Sequence, residues 1–270
     1  MADLRIGIAG CAGRMGQMLA RTIGETAGAI VAGGSERPDS PAIGKDLGEI
    51  GGLGCLGVTV VGAPAAMFQA VDAVLDFTAP AATAMHAGLA AEHKVIYVVG
   101  TTGLEAEQQK AIDAAGKRTV VVQAANFSVG VVLLSSLTRQ VAAILDPDFD
   151  IEIVEMHHRH KVDAPSGTAL ALGHAAAAGR KVEHDKVAAR GRDGITGARR
   201  RGDIGYAALR GGNVVGDHTV IFAADNERVE LTHKAADRGI FARGAVRAAL
   251  WGRGKPPGRY DMVDVLGLPR

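Results

Sequence analysis

The chain has 270 residues, a formal net charge of +1 and two cysteines. This length favours two domains over one, and the near-neutral charge gives no whole-molecule attraction to nucleic acid or membrane. Two cysteines make neither a disulfide framework nor a zinc site, and we find no membrane-spanning run or signal-peptide layout, so we expect a soluble cytoplasmic protein.

Five short apolar segments in the first half predict the strands of a parallel sheet. Helical patterns lie between them, one reaching Ile23 and two more near residues 81–92 and 104–116. Strands that alternate with helices of this length are typical of βαβ units, in which helices cover both faces of the sheet. The predicted strands are Leu4–Ala9, Ala29–Gly33, Ala73–Phe77, Val95–Val99 and Thr119–Gln123.

A glycine-rich loop, GCAGRMG, follows the first predicted strand and carries Gly10, Gly13 and Gly16. Such a loop turns sharply and brings its backbone and a helix N-terminus close to a pyrophosphate. The spacing alone is weak, because many glycine-rich turns bind nothing. Glu36 strengthens it, since an acidic residue after the second strand accepts hydrogen bonds from the adenine ribose. Arg37 follows it and suits a 2′-phosphate, which predicts use of both NADH and NADPH unless the pair is only an exposed turn.

Two further loops follow successive predicted strands, GTTG at Gly100–Gly103 and AANF at Ala124–Phe127. Threonine and asparagine side chains offer donors and acceptors to a carboxamide, and glycine lets a ring approach the backbone. Either loop alone would more often be an ordinary turn or helix cap. Because the carboxyl ends of parallel strands form the ligand-binding edge of such sheets, we expect both loops at the nicotinamide.

The second half has a different pattern, in which strands follow one another without intervening helices. This indicates an antiparallel or mixed sheet, and we predict a mixed α+β domain at 129–238. The fold class is therefore α/β, a Rossmann-type parallel sheet in a dinucleotide-binding domain joined to a second domain. The elements predicted here are strands at Phe149–His157, Ile204–Leu209, Val214–Ala223 and Arg228–His233, and helices at Gly167–Ala178 and Gly239–Trp251.

The segment EMHHRHKVDAPSGTA, residues 155–169, concentrates histidine, arginine and lysine beside a predicted helix start. Histidine titrates near neutrality and lysine donates a proton when its neighbours lower its pKa. Adjacent cationic groups repel one another unless an anion joins them, and a helix N-terminus forms a second anion site. We therefore predict a small dicarboxylate substrate, with this cluster facing the reduced nicotinamide. The alternatives are a solvated basic loop, or histidines whose hydrogen bonds are made at a domain interface.

A zinc site is not expected here. No cysteine is close in the sequence, and no set of acidic residues completes a zinc-ligand pattern, so we expect no metal.

The run RGRDGITGARRRG, Arg190–Gly202, contains five arginines and raises the question of a nucleic-acid patch. No aromatic residue lies among the arginines to stack on bases, and no nucleic-acid-binding fold is evident. A mobile, solvated loop is therefore expected.

These motifs, together with DFTAP, AANFSVGV, GDHTV, THKA and YDMVDVLGL, resemble the 4-hydroxy-tetrahydrodipicolinate reductase (dihydrodipicolinate reductase) family over nearly the whole chain. The resemblance implies NAD(P)H-dependent reduction of 4-hydroxy-tetrahydrodipicolinate to tetrahydrodipicolinate in the diaminopimelate route to lysine. It also implies a homotetramer built through the sheets of the second domain. It further implies a first domain of residues 1–128 completed by 239–270, with Phe241 between the domains.

By the same resemblance, His157 matches the proton donor and Lys161 a second acid. The substrate carboxylates would contact His158, Lys161, Gly167 and Thr168. The residues implied at the cofactor are Gly10, Cys11, Ala12, Gly13, Arg14 and Met15 for the pyrophosphate, Glu36 and Arg37 for the adenosine, and Gly100, Thr101, Thr102, Ala124, Ala125, Asn126 and Phe127 for the nicotinamide.

Two other functions fit parts of this pattern. Another nicotinamide dehydrogenase of amino or imino acids, such as an aspartate dehydrogenase, has no need of the HHRHK and PSGT residues. A non-catalytic sensor of nicotinamide redox state would keep the glycine loop and Glu36 but have no use for His157 and Lys161.

Overall fold

The computed structural model describes residues 2–270 and divides into two compact units. The first unit is the chain up to Ser128 together with Gly239–Gly267, and the second is Val129–Arg238 with Leu268–Arg270. From the sequence, the first domain was expected to include residues 239–270, whereas in the structure residues 268–270 belong to the second unit. Within residues 2–270, no helix combines the length and hydrophobicity needed to cross a membrane.

Strands and helices are numbered here in chain order. The strands are β1 (Leu4–Ala9), β2 (Ala29–Ser35), β3 (Val60–Val61), β4 (Ala73–Asp76), β5 (Ile96–Val99), β6 (Val120–Gln123), β7 (Asp150–His157), β8 (Ala188–Ala189), β9 (Ile204–Arg210), β10 (Gly216–Ala223), β11 (Arg228–Ala235) and β12 (Gly258–Tyr260). The helices are α1 (Arg14–Gly24), α2 (Leu47–Gly51), α3 (Pro64–Ala70), α4 (Pro80–His93), α5 (Ala106–Gly116), α6 (Val129–Ile144), α7 (Gly167–Arg180), α8 (His184–Val187), α9 (Gly239–Gly252) and α10 (Met262–Leu266).

The first unit is built on a seven-stranded sheet in the order β12-β6-β5-β4-β1-β2-β3, and every ladder in it is parallel. Its central strands read as unbroken apolar runs because helices cover both faces. Val74, Tyr97, Val99 and Ile112 are buried in one of the resulting cores. The predicted Rossmann-type parallel sheet is confirmed.

The second unit is built on a five-stranded mixed sheet in the order β11-β10-β7-β9-β8. Strand β7 runs antiparallel to β10 and parallel to β9, so the sheet is mixed, as predicted. Helices α6 and α7 pack together, and Leu134, Ile153 and Leu172 join one hydrophobic core with residues of the sheet. Strand β7 is therefore central, and its alternate residues point into this core.

Several elements differ from their prediction. Helix α6 was not predicted, because its run VGVVLLSSLTRQVAAI mixes β-branched with helix-favouring residues. Short elements such as α2, α3 and β3 carry too few residues for a periodic signal. Strand β4 ends at Asp76 rather than Phe77, and β10 begins at Gly216 rather than Val214.

The expected loose behaviour of Arg190–Gly202 is wrong in part. Its residues are largely exposed, but Arg192 and Arg199 donate to the carboxylate of Glu152 on β7, at 2.8–3.0 Å. Arg199 also donates to the carbonyl oxygen of Ile151 at 3.0 Å. The arginines therefore attach this loop to the sheet.

Candidate active site

The loop between β1 and α1 has the shape that a pyrophosphate requires. Gly10 adopts φ +70°, and a Cβ on Gly16 would collide with the carbonyl oxygen of Gly10, so both positions need glycine. Helix α1 has no side-chain cap at Gly13, which leaves N–H groups of its first turn available to an anion. Gly10–Met15 therefore fit a dinucleotide phosphate.

The acidic residue after β2 lies beside this loop. The backbone N–H of Ala12 donates to Glu36 Oε1 at 2.9 Å, so one donor of the loop already holds a carboxylate. Arg37 is mostly exposed, and its Nε lies 3.1 Å from Oδ1 of the equally exposed Asp39. An ion pair so exposed holds Arg37 only weakly.

Three of the residues predicted at the cofactor, Cys11, Thr101 and Phe127, have buried side chains. Burial, with the nearby charge of Glu36, raises the pKa of the Cys11 thiol to about 12, so the thiol is neutral. Phe127 is 1% exposed. Cys11 and Phe127 therefore offer a cofactor their backbone rather than their side chains, whereas Arg14 is exposed.

The loops after β4, β5 and β6 meet at the carboxyl edge of the sheet. A Cβ on Gly100 would collide with the ring of Phe77, and that ring lies 5.4 Å from the ring of Phe127. The Ala124 N–H donates to the Val99 carbonyl oxygen at 3.2 Å. The structure therefore brings the GTTG and AANF loops together, and glycine at position 100 is required for their packing.

The side chains of Thr101 and Asn126 are already engaged within these loops. Thr101 is buried and accepts a hydrogen bond from Thr83 at 2.7 Å. Asn126 Oδ1 accepts from the Ser128 N–H at 2.8 Å. Thr102 and Ala125 are exposed at the same loops.

A histidine held by a buried carboxylate ends β7. His157 Nδ1 lies 2.6 Å from Glu155 Oε2, and the two residues share the buried face because they are two apart on the strand. Arg210, at the end of β9, donates to both oxygens of Glu155 at 2.8 and 2.9 Å. A Cβ on Gly216 would lie 3.0 Å from His157 Nε2, so glycine there leaves room around the second ring nitrogen.

Glu155 carries a negative charge at neutral pH despite being buried. Burial raises the pKa of its carboxyl group, but the hydrogen bonds from Arg210 and His157 outweigh this effect and lower the pKa below its ordinary value. A charged carboxylate fixes the tautomer and the orientation of His157. This histidine therefore has the geometry of a general acid or base.

The start of α7 is joined to the same group. Ser166 donates its backbone N–H to Glu155 Oε1 at 3.1 Å, and its Oγ caps the helix by accepting from the Ala169 N–H. His218 Nε2 lies 3.0 Å from that Oγ. Burial, then the nearby His157, lowers the pKa of His218 to about 4, so His218 is neutral in the folded protein. Gly167, the first residue of α7, therefore follows a cap that is rigidly held.

Lys161 is paired with an acidic neighbour. Its Nζ lies 2.7 and 2.9 Å from the two carboxylate oxygens of Asp163, and this hydrogen bond lowers the pKa of Asp163. Asp163 is half exposed, whereas Lys161 is only 20% exposed. The predicted second acid thus has a carboxylate partner within its own loop.

A cavity of about 320 Å³ lies beside these residues in the second unit. His158, His160 and Arg238 line it with Asn213 and Val215. Burial, followed by the nearby Arg238 and His160, lowers the pKa of His158. Its Nδ1 is buried and, among residues 2–270, has no hydrogen-bond partner. A cationic wall with an unsatisfied donor or acceptor suits a carboxylate.

Other features of the chain do not form a candidate site. A cavity of about 510 Å³ lies at the amino ends of the first sheet, lined in part by Leu4, Ile96 and Val120, whereas α/β sheets bind ligands at the carboxyl ends. Within the described part of the chain, no group of three histidine, cysteine or acidic residues lies close enough together to hold a metal ion.

Sequence reasoning did not assign roles to Glu155, Arg210 or His218, whereas Ser166 was expected at the helix start, where the structure places it. The position of Glu155 could have been found from the sequence. Residues two apart on a strand lie on the same face, so Glu155 lies on the face of His157. Arg210 had none, since it is 55 residues from Glu155 in the chain. Only the pairing of β7 with β9 brings the two together.

Comparison with known proteins finds matches over both units. Residues 4–127 match the family described as dihydrodipicolinate reductase, N-terminus, and residues 130–266 match dihydrodipicolinate reductase, C-terminus. The chain is 58% identical over 261 residues to a 4-hydroxy-tetrahydrodipicolinate reductase of Ruegeria pomeroyi, with 97% of each chain covered. It is 55% identical over 268 residues to the protein of that name from Parvibaculum lavamentivorans, with 99% of each covered.

Solved structures show the same fold. A dipicolinate-bound dihydrodipicolinate reductase from Paenisporosarcina matches with a TM-score of 0.79 at 24% identity, over 97% of this chain and 98% of that one. A probable dehydrogenase from Thermotoga maritima matches with a TM-score of 0.59 at 12% identity, over 97% and 92% of the two chains.

Proposed function

The chain belongs to the dihydrodipicolinate reductase family, and we propose that it catalyses the NAD(P)H-dependent reduction of 4-hydroxy-tetrahydrodipicolinate to tetrahydrodipicolinate. This is a step of the diaminopimelate route to lysine. The observation that carries the proposal is the Glu155–His157 pair beside the start of α7. That arrangement joins a positioned acid–base group to a helix N-terminus suited to a carboxylate.

Two anion sites in the second unit support a dicarboxylate as substrate. One carboxylate would bind the N–H groups at Gly167 and Thr168. The other would bind Lys161 and His158, whose buried Nδ1 lacks a partner within residues 2–270. Lys161 would exchange its contact with the half-exposed Asp163 for the substrate. Because the substrate carries two carboxylates, it would also balance the positive charge of this segment.

The first unit has a pyridine-nucleotide-binding fold, and its glycine loop fits the pyrophosphate. We propose that Glu36 binds the adenosine ribose, Arg37 the 2′-phosphate of NADPH, and Gly100–Thr102 with Ala124–Phe127 the nicotinamide. When bound, the reduced cofactor supplies a hydride.

Arg37→Ala should weaken the binding of NADPH and leave the binding of NADH nearly unchanged, as measured by fluorescence titration. Equal losses for both cofactors would reject the phosphate role of Arg37.

The chemistry requires one proton from the protein for each hydride. The 4-hydroxyl group first leaves as water together with a proton from an adjacent ring carbon, which forms a ring double bond. The unsaturated ring would then accept the hydride, and the neighbouring carbon would accept a proton. His157 or Lys161 is proposed to hold that proton. Glu155 keeps the His157 ring in place with Nδ1 turned inward, which leaves Nε2 as the nitrogen that faces away from the carboxylate.

The two alternative functions are less well supported. A cofactor sensor is set aside, because relatives that are 54–58% identical over nearly the whole chain are named 4-hydroxy-tetrahydrodipicolinate reductase. A dehydrogenase of other amino or imino acids, such as an aspartate dehydrogenase, would not need the HHRHK and PSGT residues, which this chain has.

We further propose that the protein is a cytoplasmic homotetramer that associates through the second sheet. The face opposite α6 and α7 carries Val154, Met156 and Ile221 beside the charged residues Glu152 and Asp217, and Leu209, which pairs with Met156, is 49% exposed. Exposed apolar residues on a sheet face favour association. Light scattering should give about four times the 27.7 kDa of one chain. A monomer mass would reject the tetramer.

One assay tests the proposed function. Oxidation of NADH and NADPH is followed at 340 nm with freshly synthesised 4-hydroxy-tetrahydrodipicolinate, and pyridine-2,6-dicarboxylate serves as inhibitor. We expect substrate-dependent oxidation that the inhibitor competes with. Binding of cofactor without any oxidation in the presence of this substrate would reject the proposal.

A further inference from the structure

A buried hydrogen-bond network at the carboxyl edge of the first sheet has no role in the assignments above. Its centre is Asp76, the last residue of β4, which is fully buried. Thr78 donates its backbone N–H and its hydroxyl to Asp76 Oδ1 at 2.9 and 2.6 Å. On the other oxygen, the Tyr97 hydroxyl donates at 2.5 Å and His86 Nδ1 lies at 2.7 Å. The carboxylate therefore fixes groups from three elements.

Thr83 connects this network to the GTTG loop. Its hydroxyl is fully buried on α4 and donates to Thr101 Oγ1 at 2.7 Å. The Tyr97 hydroxyl directs its hydrogen to Asp76 at the shorter distance of 2.5 Å, and the carbonyl oxygen of Thr83 lies 3.0 Å from the same hydroxyl oxygen, so Thr83 packs against the Asp76 group. The Thr83 hydroxyl has one hydrogen, and its contact with Thr101 Oγ1 at 2.7 Å is much shorter than its contact with Asp76 Oδ1 at 3.4 Å. Thr101 is therefore the acceptor and keeps its own hydrogen for another acceptor.

The network also reaches the glycine loop. A Cβ on Gly10 would lie 3.0 Å from Thr78 Cγ2, so the side chain that Asp76 holds lies against the turn after β1. The network around the buried Asp76 carboxylate therefore contacts the loops that follow β1, β4 and β5.

We propose that Thr83 is a positioning residue for the nicotinamide end of the cofactor. It holds the Thr101 side chain so that the Thr101 hydroxyl donates its hydrogen to the carboxamide oxygen of NAD(P)H. Asp76 acts through the backbone and side chains around Thr83 and does not touch the cofactor. This inference rests on the proposed function, because it assumes a nicotinamide at the GTTG loop.

The experiment compares two ligands that differ only in the nicotinamide end. Thr83→Val keeps the shape of the side chain and removes the hydroxyl. The dissociation constant of NADH should rise by about 3- to 10-fold, the worth of one hydrogen bond. The dissociation constant of ADP-ribose, which lacks the nicotinamide, should stay unchanged. Thr83→Ser keeps the hydroxyl and should restore NADH binding.

A matched control lies at the other edge of the same sheet. Thr119 is also buried, and its hydroxyl donates to the Val95 carbonyl oxygen at 2.8 Å. Thr119→Val removes a comparable hydrogen bond far from the GTTG loop in the sheet, so it should lower the melting temperature without changing the ratio of the NADH and ADP-ribose dissociation constants.

Three results would overturn the inference: equal weakening of both ligands by Thr83→Val, no weakening of either, or an equal change of the ratio in Thr119→Val. None of these measurements uses the dicarboxylate substrate. A protein that shows the expected Thr83 effect but no turnover would reject the proposed function and leave the role of Thr83 standing.

Discussion

Each unit contains a buried carboxylate that lies against Nδ1 of a histidine. In the first unit Asp76 lies 2.7 Å from His86, and in the second Glu155 lies 2.6 Å from His157. Both carboxylates are at most 1% exposed, and the pKa of each lies below its ordinary value because hydrogen bonds outweigh the effect of burial. The pairs thus use the same residue chemistry.

They differ in what else balances the negative charge. Asp76 has hydroxyl and backbone donors, and within residues 2–270 its only ion pair is with His86. Glu155 has two hydrogen bonds from the guanidinium of Arg210. Arg210 therefore keeps Glu155 paired with a cation whatever the charge of His157, whereas Asp76 has no arginine or lysine partner within residues 2–270. We infer that the Glu155–His157 pair can exchange protons because Arg210 also contacts Glu155. The Asp76–His86 pair, which has no arginine, has a structural role.

The largest expected effect is on turnover. His157→Ala and Lys161→Ala should each lower kcat by about 10²–10⁴-fold, because each removes a proposed proton donor or carboxylate contact. Steady-state kinetics with the cyclic substrate measures both. Near wild-type turnover in both variants would place the acid elsewhere and end the distinction between the two pairs.

The second prediction concerns stability, for which we expect His86 to matter more than His157. His86→Ala should lower the free energy of unfolding by about 1–3 kcal/mol, because it removes a hydrogen-bond partner of a buried carboxylate. His157→Ala should lower it by less, since Arg210 still neutralises Glu155. Urea unfolding of both variants measures the difference. Equal losses would show that Arg210 does not compensate Glu155.

The third prediction tests Glu155 as a positioning residue. Glu155→Gln should lower kcat by roughly 10- to 100-fold, the worth of a hydrogen bond to a charged group, because a neutral amide cannot hold Arg210 and His157 as the carboxylate does. The pH profile of kcat should change as well, whereas a purely structural role would leave it unchanged.

Glu152→Gln is the matched control. Glu152 lies on the same strand but on the opposite face, and its carboxylate also accepts hydrogen bonds from two arginines, Arg192 and Arg199. It should leave the pH profile as in the wild type. The same change of profile in both variants would contradict a specific role for Glu155.

The fold could be predicted from the sequence because central parallel strands are buried on both faces and read as continuous apolar runs. Residues 73–76 and 96–99 stand out in this way. Helix α6 could not be predicted, because an apolar run rich in valine and leucine has no clear period until its packing against α7 is known.

The candidate site was predictable only where its residues are close in sequence. The HHRHK and PSGT residues lie within one segment, so their cationic and helix-start character is visible. Arg210 joins Glu155 only through strand pairing, and Thr83 joins Thr101 only when α4 packs on the sheet. The residue types do not reveal either contact, because arginine and threonine are also common at exposed positions that have no such partner.

The smallest expected effect is acid sensitivity of the second unit. His218 has a pKa of about 4 in the folded protein, below the value of 6.5 expected when the chain is unfolded. Between these values the unfolded chain binds a proton that the folded chain does not, so stability falls as the pH is lowered through this window. At pH 5 the loss should be about 2 kcal/mol. The pKa of His218 also depends on the nearby His157, Glu155, His233 and Lys161, so the comparison must be made against His218→Asn.

Trp251, the single tryptophan of the chain, lies on α9 in the first unit and can separate the two units during this measurement. At pH 7 the urea midpoints from circular dichroism and from tryptophan fluorescence should lie close together. At pH 5 the circular dichroism midpoint should move to lower urea first, and His218→Asn should reduce that separation. If the variant loses as much stability as the wild type between pH 7 and 5, or if the fluorescence midpoint moves first, the acid-sensitive group lies in the first unit, where Asp76 and His86 are the residues to test.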